Sequence, residues 1–308
     1  GVLRALQEEW NARAPLLGKP QVAEEERILP IAMYVNRRPL YFAQAVAALR
    51  KVRGVDKVAV LVVSMDAADA DILQVAMSVD FAPLRVVFHP PRADLLRMEP
   101  VLAIKQHWMW LQTTVWEQLP ETRSWRGALA LLEEDHVVTP DYLEVVQVLW
   151  DMKTRTCAGH CWAVFVRYGC MDKDDGDASK VCKSNAVVNT GIAIDRDIYS
   201  RIQASDFAHF PDGWDWSLFH LAQTGQMPDG QLGPAVSRVS NVGTDGATVN
   251  HQGDAFLLAQ LAYSQVGETG QGLAAAGKLW LDESERTHYT PPAWEPLFLG
   301  GIGFVSPV

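Results

Sequence analysis

Four short, continuous apolar runs, set apart by stretches with helical spacing, constrain this chain more than any other feature. The runs are ILPIAMYV (28–35), KVAVLVV (57–63), LRVVFH (84–89) and ALALL (128–132). Strands that lack a polar face are those buried on both sides, as in parallel sheets. Between them the period changes. Arg38-Pro39 puts proline where it suits a first helical turn, and Phe42, Ala43, Val46, Ala47 and Leu49 then share one face until Gly54. Further helices are expected near 69–78, over the aromatic-rich 101–118, and over 140–150, where Pro140 lies near the first turn. Strand and helix alternating at this interval mark βαβ units, and therefore an α/β fold with a mostly parallel sheet flanked by helices.

Beyond residue 150 the pattern loosens. WAVFVRY (162–168) reads as a strand and 170–184 as a long surface loop. Residues 190–202 give a short strand running into a helix, and a Trp-rich helix begins near Asp212. The Gly-, Pro- and polar-rich stretch 225–255 is expected to form loops that line a site, and 266–308 to wrap the surface. Three segments follow: a helical stem over 1–27, the main domain over 28–265, and a tail over 266–308.

Composition narrows the partners. The 308 residues carry 37 Asp and Glu against 27 Lys and Arg, a formal charge of −10. Such a surface repels a phosphate backbone, which argues against nucleic acid, and an anionic nucleotide would need a cation or clustered arginine. No apolar run reaches the ~18 residues of a spanning helix. Membrane attachment is therefore expected only through an anchor outside this chain. Cys157, Cys161, Cys170 and Cys182 fall within 26 residues. Two disulfides, a zinc site and free thiols all remain open for them.

Glu133-Glu134-Asp135-His136 follows the fourth strand directly. In extended chain Glu133 and Asp135 share one face and Glu134 takes the other. Carboxylates at the C-terminal end of a parallel strand enter the crevice where open α/β sheets bind ligands, and Mg2+ or Mn2+ prefers such oxygens. A charged strand-to-helix turn gives the same letters. Asp215, between Trp214 and Trp216, is open in the same way: a base with limited hydration, or a first-turn acid beside core indoles. His107, Trp108 and Trp110 fit an acceptor pocket or a core face, whereas Trp116 reads as core.

The stretch LLEEDHVVTPDYLEVVQVLW resembles the N-acetylglucosaminyltransferase II family, whose members add a β-1,2-linked GlcNAc to the α-1,6 mannose arm of N-glycans. Arg38-Pro39 with Tyr41, the helix IKQHWMWLQTTVW (104–116), Asn189-x-Gly191 and GWDWSL around Asp215 match that family in the same order, over about residues 28–225. The resemblance implies a GT-A-type nucleotide-sugar fold that uses UDP-GlcNAc and Mn2+, with Mg2+ as a substitute, for inverting transfer to a mannose-terminated glycoprotein glycan. It makes Asp135 a metal ligand, Glu133 its neighbour, and Arg38 and Asp66 contacts of the donor nucleotide. Asn189 and Gly191 would lie near the donor sugar, and Asp215 would be the catalytic base. It pairs Cys157 with Cys161, leaving Cys170 with Cys182, and implies a Golgi lumen and a type II anchor in the full-length protein.

One position departs from the family. Where members carry a metal-binding histidine in Arg-x-x-His-x-Gly, this chain has Arg238-Val-Ser-Asn241-Val-Gly243. Asn241 takes over as ligand, His251 or Asp245 substitutes, or the metal is held weakly. The alternatives to UDP-GlcNAc transfer are another UDP-sugar or acceptor, and a catalytically silent GT-A domain that binds glycan or protein.

Overall fold

The computed structural model describes residues 2–66, 68–90, 98–167, 180–185, 187–243 and 280–281. Its centre is a ten-stranded sheet in the order β1 (Leu17–Gly18), β4 (Pro83–Phe88), β3 (Leu61–Met65), β2 (Ile31–Val35), β5 (Leu129–Glu133), β9 (Ala193–Ile194), β7 (Cys161–Val164), β10 (Gly230–Pro234), β8 (Lys180–Ser184) and β12 (Trp280–Leu281). Strands β2 (Ile31–Val35), β3 (Leu61–Met65), β4 (Pro83–Phe88) and β5 (Leu129–Glu133) are mutually parallel. The chain builds outward from β2 through β3 to β4, then returns to place β5 on the other side of β2. That reversal creates a topological switch point between β2 and β5, where ligands bind in open α/β sheets.

The two faces of the sheet follow from strand alternation. On one face, Ile31, Met33 and Val35 of β2 join Leu61, Val63 and Met65 of β3. Helices α2 (Pro39–Leu49), α3 (Ala70–Met77) and α5 (Tyr142–Thr156) cover them with Phe42, Leu49, Ile72, Val146 and Leu149. On the other face, Ala32, Val62, Leu129 and Leu131 lie under α4 (Pro100–Thr113), α6 (Arg196–Ala204) and α7 (Trp214–Gln223). Each large apolar side chain buried this way contributes ~1.5–3 kcal/mol. The three-layer α/β architecture read from the alternation is therefore the one present.

Three expectations shift. The apolar run predicts a second strand over 57–63, but Val55–Lys57 wind into a 3-10 turn after Gly54, whose φ of 76° is left-handed. Only Val58 bridges Ile28 before the ladder proper starts at Leu61. The end of the cysteine-bearing stretch is not loop: Lys180–Ser184 form β8. The composition of residues 225–255 predicts loops, yet Gly230–Pro234 form β10, between β7 (Cys161–Val164) and β8. A Cβ on Gly233 would run into the Phe165 ring, and one on Gly230 would lie 2.6 Å from the His160 carbonyl. The glycines mark close packing inside a buried strand, which composition alone reads as loop.

The expected helix over 101–118 is α4, its last turn widened into a π-turn over Thr114–Gln118. Ahead of the main sheet, α1 (Val2–Arg13) lies along β4, and β1 (Leu17–Gly18) pairs antiparallel with it. Trp10 Nε1 donates to Val86 O, and Asn11 exchanges hydrogen bonds with Phe88, so α1 satisfies backbone groups of that strand. Cys157 and Cys161 are disulfide-bonded, as the family resemblance implied. Cys182 is also disulfide-bonded, and its expected partner Cys170 lies outside the described residues. Within the tail, β12 (Trp280–Leu281) pairs with β8.

Candidate active site

The site is assembled where the parallel strands end. Tyr34 and Glu133 are partners across the β2–β5 ladder, so the turn carrying Arg38 and the turn carrying Glu134 and Asp135 begin side by side. Arg38 stands just ahead of Pro39, the first residue of α2, and its guanidinium reaches across the switch point. Nε donates to Glu134 Oε1 at 2.7 Å, and Nη1 lies 2.9 Å from Asp135 Oδ2. Burial opposes the charge of Arg38, but Glu134 and Asp135 overcome it and raise its pKa. Glu134 is pushed up to about 7 by burial, with Arg38 pulling against the shift. Glu133 is driven up by burial and by the neighbouring Asp135, and Tyr34 is raised by burial and by the Glu133 carboxylate. Burial thus opposes ionisation of Glu133 and Glu134, while the Arg38 charge favours it.

A second layer holds this cluster. β6 (His136–Val138) pairs antiparallel with β11 (Val239–Asn241), with Asn241 opposite His136. Val242 N donates to Asp135 O at 2.9 Å, and Gly243 follows directly over the carboxylate. A Cβ at Gly243 would fall on Asp135 Oδ2 and 3.0 Å from Arg38 Nη1, so any side chain there must displace the carboxylate. The pair is pinned below by Arg238, fully buried, whose Nε donates to Asp141 Oδ2 at 2.8 Å.

Oxygen donors suited to a hard divalent cation are present. Asp135 is 3% exposed, and its Oδ1 is buried without a hydrogen-bond partner among the described residues. Glu133, Asp135 and His136 each bring one potential ligand atom within 4.8 Å of the others. His136 is the exception among the three. Its Nδ1 accepts the Glu133 N–H at 3.1 Å, so in the neutral ring the proton sits on Nε2. Burial lowers its pKa to about 4, which keeps it neutral. In this orientation His136 offers an N–H rather than a lone pair, and the ligand set reduces to the two carboxylates. Asn241 Oδ1 accepts the Gly243 N–H at 2.9 Å. The other two residues named for the missing ligand, Asp245 and His251, lie outside the described residues.

Asp215 sits in the first turn of α7. Its Oδ1 accepts the Trp216 N–H at 2.8 Å, and Asn189 Nδ2 donates to Oδ2 at 3.3 Å. Burial raises its carboxyl to about 6 against the pull of the Trp216 amide. Trp214 stacks on Trp108 at 5.3 Å and meets Tyr34 edge-on at 6.3 Å. Tyr34 therefore links the Asp215 turn with the acidic turn. Trp108 and Trp116 are core, while Trp110 is half-buried. Gly191, at φ 64°, lies where a Cβ would approach Val166 to 2.6 Å. Its close approach is to the protein interior, and its neighbour Asn189 is the residue that reaches the site.

Asp66 is the first residue past β3, and sequence reasoning paired it with nothing. Its Oδ1 lies 2.8 Å from His89 Nδ1 and 3.9 Å from His107 Nδ1. His107 Nε2 is 2.7 Å from Ser64 Oγ, and burial takes His107 down to about 3. Met65 and Phe88 are ladder partners, so the residues that follow them, Asp66 and His89, emerge side by side. Both being first past a parallel strand was the signal available for His89.

The sequence profile of N-acetylglucosaminyltransferase II (MGAT2) matches residues 4–99 and 94–265. The alpha-1,6-mannosyl-glycoprotein 2-beta-N-acetylglucosaminyltransferase of Rattus norvegicus is 28% identical over 242 residues, covering 63% of this chain and 53% of that protein. The Arabidopsis thaliana protein of the same name is 24% identical over 236 residues, covering 65% and 54%. The chain spans about half the length of the curated relatives it matches. Among solved structures, S. aureus TarS 1–349 aligns with a TM-score of 0.43 at 9% identity, over 68% of this chain and 59% of that one.

Proposed function

The chain belongs to the N-acetylglucosaminyltransferase II family, and from that premise we propose that it transfers N-acetylglucosamine from UDP-GlcNAc to a mannose-terminated glycan with inversion. The observation that carries this reading is the Arg38–Glu134–Asp135 cluster at the switch point, where Asp135 Oδ1, beside Glu133, has no hydrogen-bond partner among the described residues. The two carboxylates would hold Mn2+ or Mg2+. A divalent cation bound there supplies charge neutralisation for the departing diphosphate.

The remaining chemistry belongs to side chains. Arg38, planar and permanently charged, contacts the diphosphate from the α2 side. Asp66 contacts the nucleoside past β3, and Asn189 holds Asp215 by its second oxygen. Asp215 accepts the proton of the acceptor hydroxyl as that oxygen bonds to the anomeric carbon and the bond to the diphosphate breaks on the opposite face. Burial supports this role, because a carboxyl raised to about 6 is a stronger base than an exposed one and is still ionised at neutral pH. The donor is a UDP-sugar, the acceptor a glycoprotein glycan, and the compartment the Golgi lumen, with the disulfide at Cys157–Cys161 in keeping with an oxidising lumen. No described helix is long and apolar enough to cross a membrane, so attachment would come from outside these residues.

Calorimetric titration of UDP-GlcNAc, with and without Mn2+, against UDP-glucose and UDP-galactose tests the proposal. Mn2+-dependent binding that favours UDP-GlcNAc is expected. One observation favours a second reading, a silent glycan- or protein-binding module: Asn241 stands in place of a histidine, and its oxygen is engaged by Gly243. Failure of the folded protein to bind any UDP-sugar in the presence of metal would select that reading.

A further inference from the structure

Asp66, His89 and His107 place three ligand atoms within 4.8 Å, an arrangement that resembles a metal centre. The rings argue otherwise. His89 and His107 are stacked, with centroids 4.8 Å apart and planes within 5°. Imidazole lone pairs lie in the ring plane, so those of two parallel stacked rings cannot converge on one ion. The same geometry suits a hydrogen-bonded brace. Asp66 Oδ1 accepts the His89 Nδ1–H at 2.8 Å. The Nδ1–H tautomer of His107 turns a second N–H toward the same oxygen at 3.9 Å and lets its Nε2 accept from Ser64 Oγ at 2.7 Å.

We propose that His89 is a positioning residue for the donor nucleoside: it fixes the Asp66 carboxylate so that its outer face accepts a ribose hydroxyl or a base N–H. The inference rests on the nucleotide role proposed for Asp66. Asp66 is 33% exposed, whereas both histidine side chains are 4% exposed, so only the carboxylate faces the crevice. His89 itself packs against two rings, stacked on His107 and tilted against Trp110 at 5.4 Å. Burial works against the Asp66 charge, but the His89 hydrogen bond and the nearby His107 and Arg37 lower its pKa overall, so it accepts in its ionised form. An untethered Asp66 would rotate about its side-chain torsions and lose that direction.

The test uses two substitutions and UDP as the probe, titrated by calorimetry in the presence of Mn2+. His89→Phe keeps a ring against His107 and Trp110 and removes the N–H. His89→Asn keeps an N–H near the Nδ1 position and removes the ring; His89 lines a cavity of about 850 Å³, where water can fill the lost volume. His89→Phe is expected to weaken UDP binding roughly tenfold, the size of one hydrogen bond to a charged group. In turnover the loss should appear in the KM for donor, with kcat within about twofold, because the contact is made equally in ground and transition states. His89→Asn should recover most of the affinity. Wild-type UDP affinity in folded His89→Phe, or no recovery in folded His89→Asn, overturns the proposal. Asp66→Asn separates the two layers. If it weakens UDP binding while His89→Phe does not, only the positioning role fails. If neither substitution matters, the nucleotide role of Asp66 fails as well.

Discussion

Asp215 carries a conflict that a titration can expose. Burial holds its carboxyl near 6, while the same group in unfolded chain titrates near 3.8. Below 3.8 both states are protonated and no cost arises. As pH rises through 6 the folded state must hold a buried charge, and stability is lost over that window. Asp215→Asn removes the charge, so at pH 7.5 the variant should be more stable by ~1–3 kcal/mol, a gain that vanishes near pH 4. Thermal melts at the two pH values check this. Activity runs the other way: kcat/KM should rise through about pH 6 in the wild type, and Asp215→Asn should lose ~10²–10⁴-fold at neutral pH. An unaltered rate in the folded variant would remove Asp215 from the chemistry. Gly243 allows a second residue-level test. A methyl there collides with the Asp135 carboxylate and crowds Arg38. Gly243→Ala should weaken Mn2+-dependent UDP binding by about tenfold or more, with near-wild-type binding in metal-free buffer. Equal affinity in both proteins would mean that the carboxylate is not part of the site.

The short β6–β11 pair is the element that turns a sheet edge into a site, since it fixes His136, Asn241 and the backbone over Asp135. Its anchor is the Arg238–Asp141 ion pair, with side chains 0% and 1% exposed. Asp141→Ala takes the carboxylate at 2.8 Å away from the buried Arg238 charge, and should cost roughly 3–5 kcal/mol in denaturant unfolding. A loss under 1 kcal/mol would mean that the strand pair is held by its backbone ladder alone. Legibility in the sequence divides at this scale. β2 to β5 were readable because strands buried on both faces need continuous apolar runs, and α2 and α5 because proline marked their starts. Glu133, Asp135, Arg38 and Asp215 stood at element ends, where pattern and family order both reach. β10 escapes the pattern because glycines required by packing against Phe165 and Cys161 carry no hydrophobic signal, and β11, three residues long, is too short for a period to show. The commitment of Asn241 to the Gly243 N–H was also out of reach, being a local turn that no periodicity records.

At the scale of the whole molecule, the site draws on both halves of one sheet. Arg38, Asp66 and the acidic turn come from the parallel strands, while Asn189, Asp215 and Gly243 come from segments that follow the antiparallel crossing at β9 (Ala193–Ile194) or flank it. Sequence order shows two separate groups of residues here. Their meeting depends on β9 pairing with β5 and β11 with β6, long-range pairings invisible in any window of the chain. A ligand that touches both groups must therefore stabilise the fold as a unit. Binding adds RT ln(1 + [L]/Kd), about 2.7 kcal/mol at a hundredfold excess over Kd. For a domain of this size that is a rise in Tm of several degrees at most. UDP with Mn2+ should produce the shift, and either alone should produce little, because the cation needs diphosphate oxygens to complete its shell. Asp135→Asn should melt close to the wild type without ligand and lose the shift with it. If UDP raises the Tm of wild type and variant equally, the nucleotide binds without the carboxylate cluster, and the switch point is not where the metal acts.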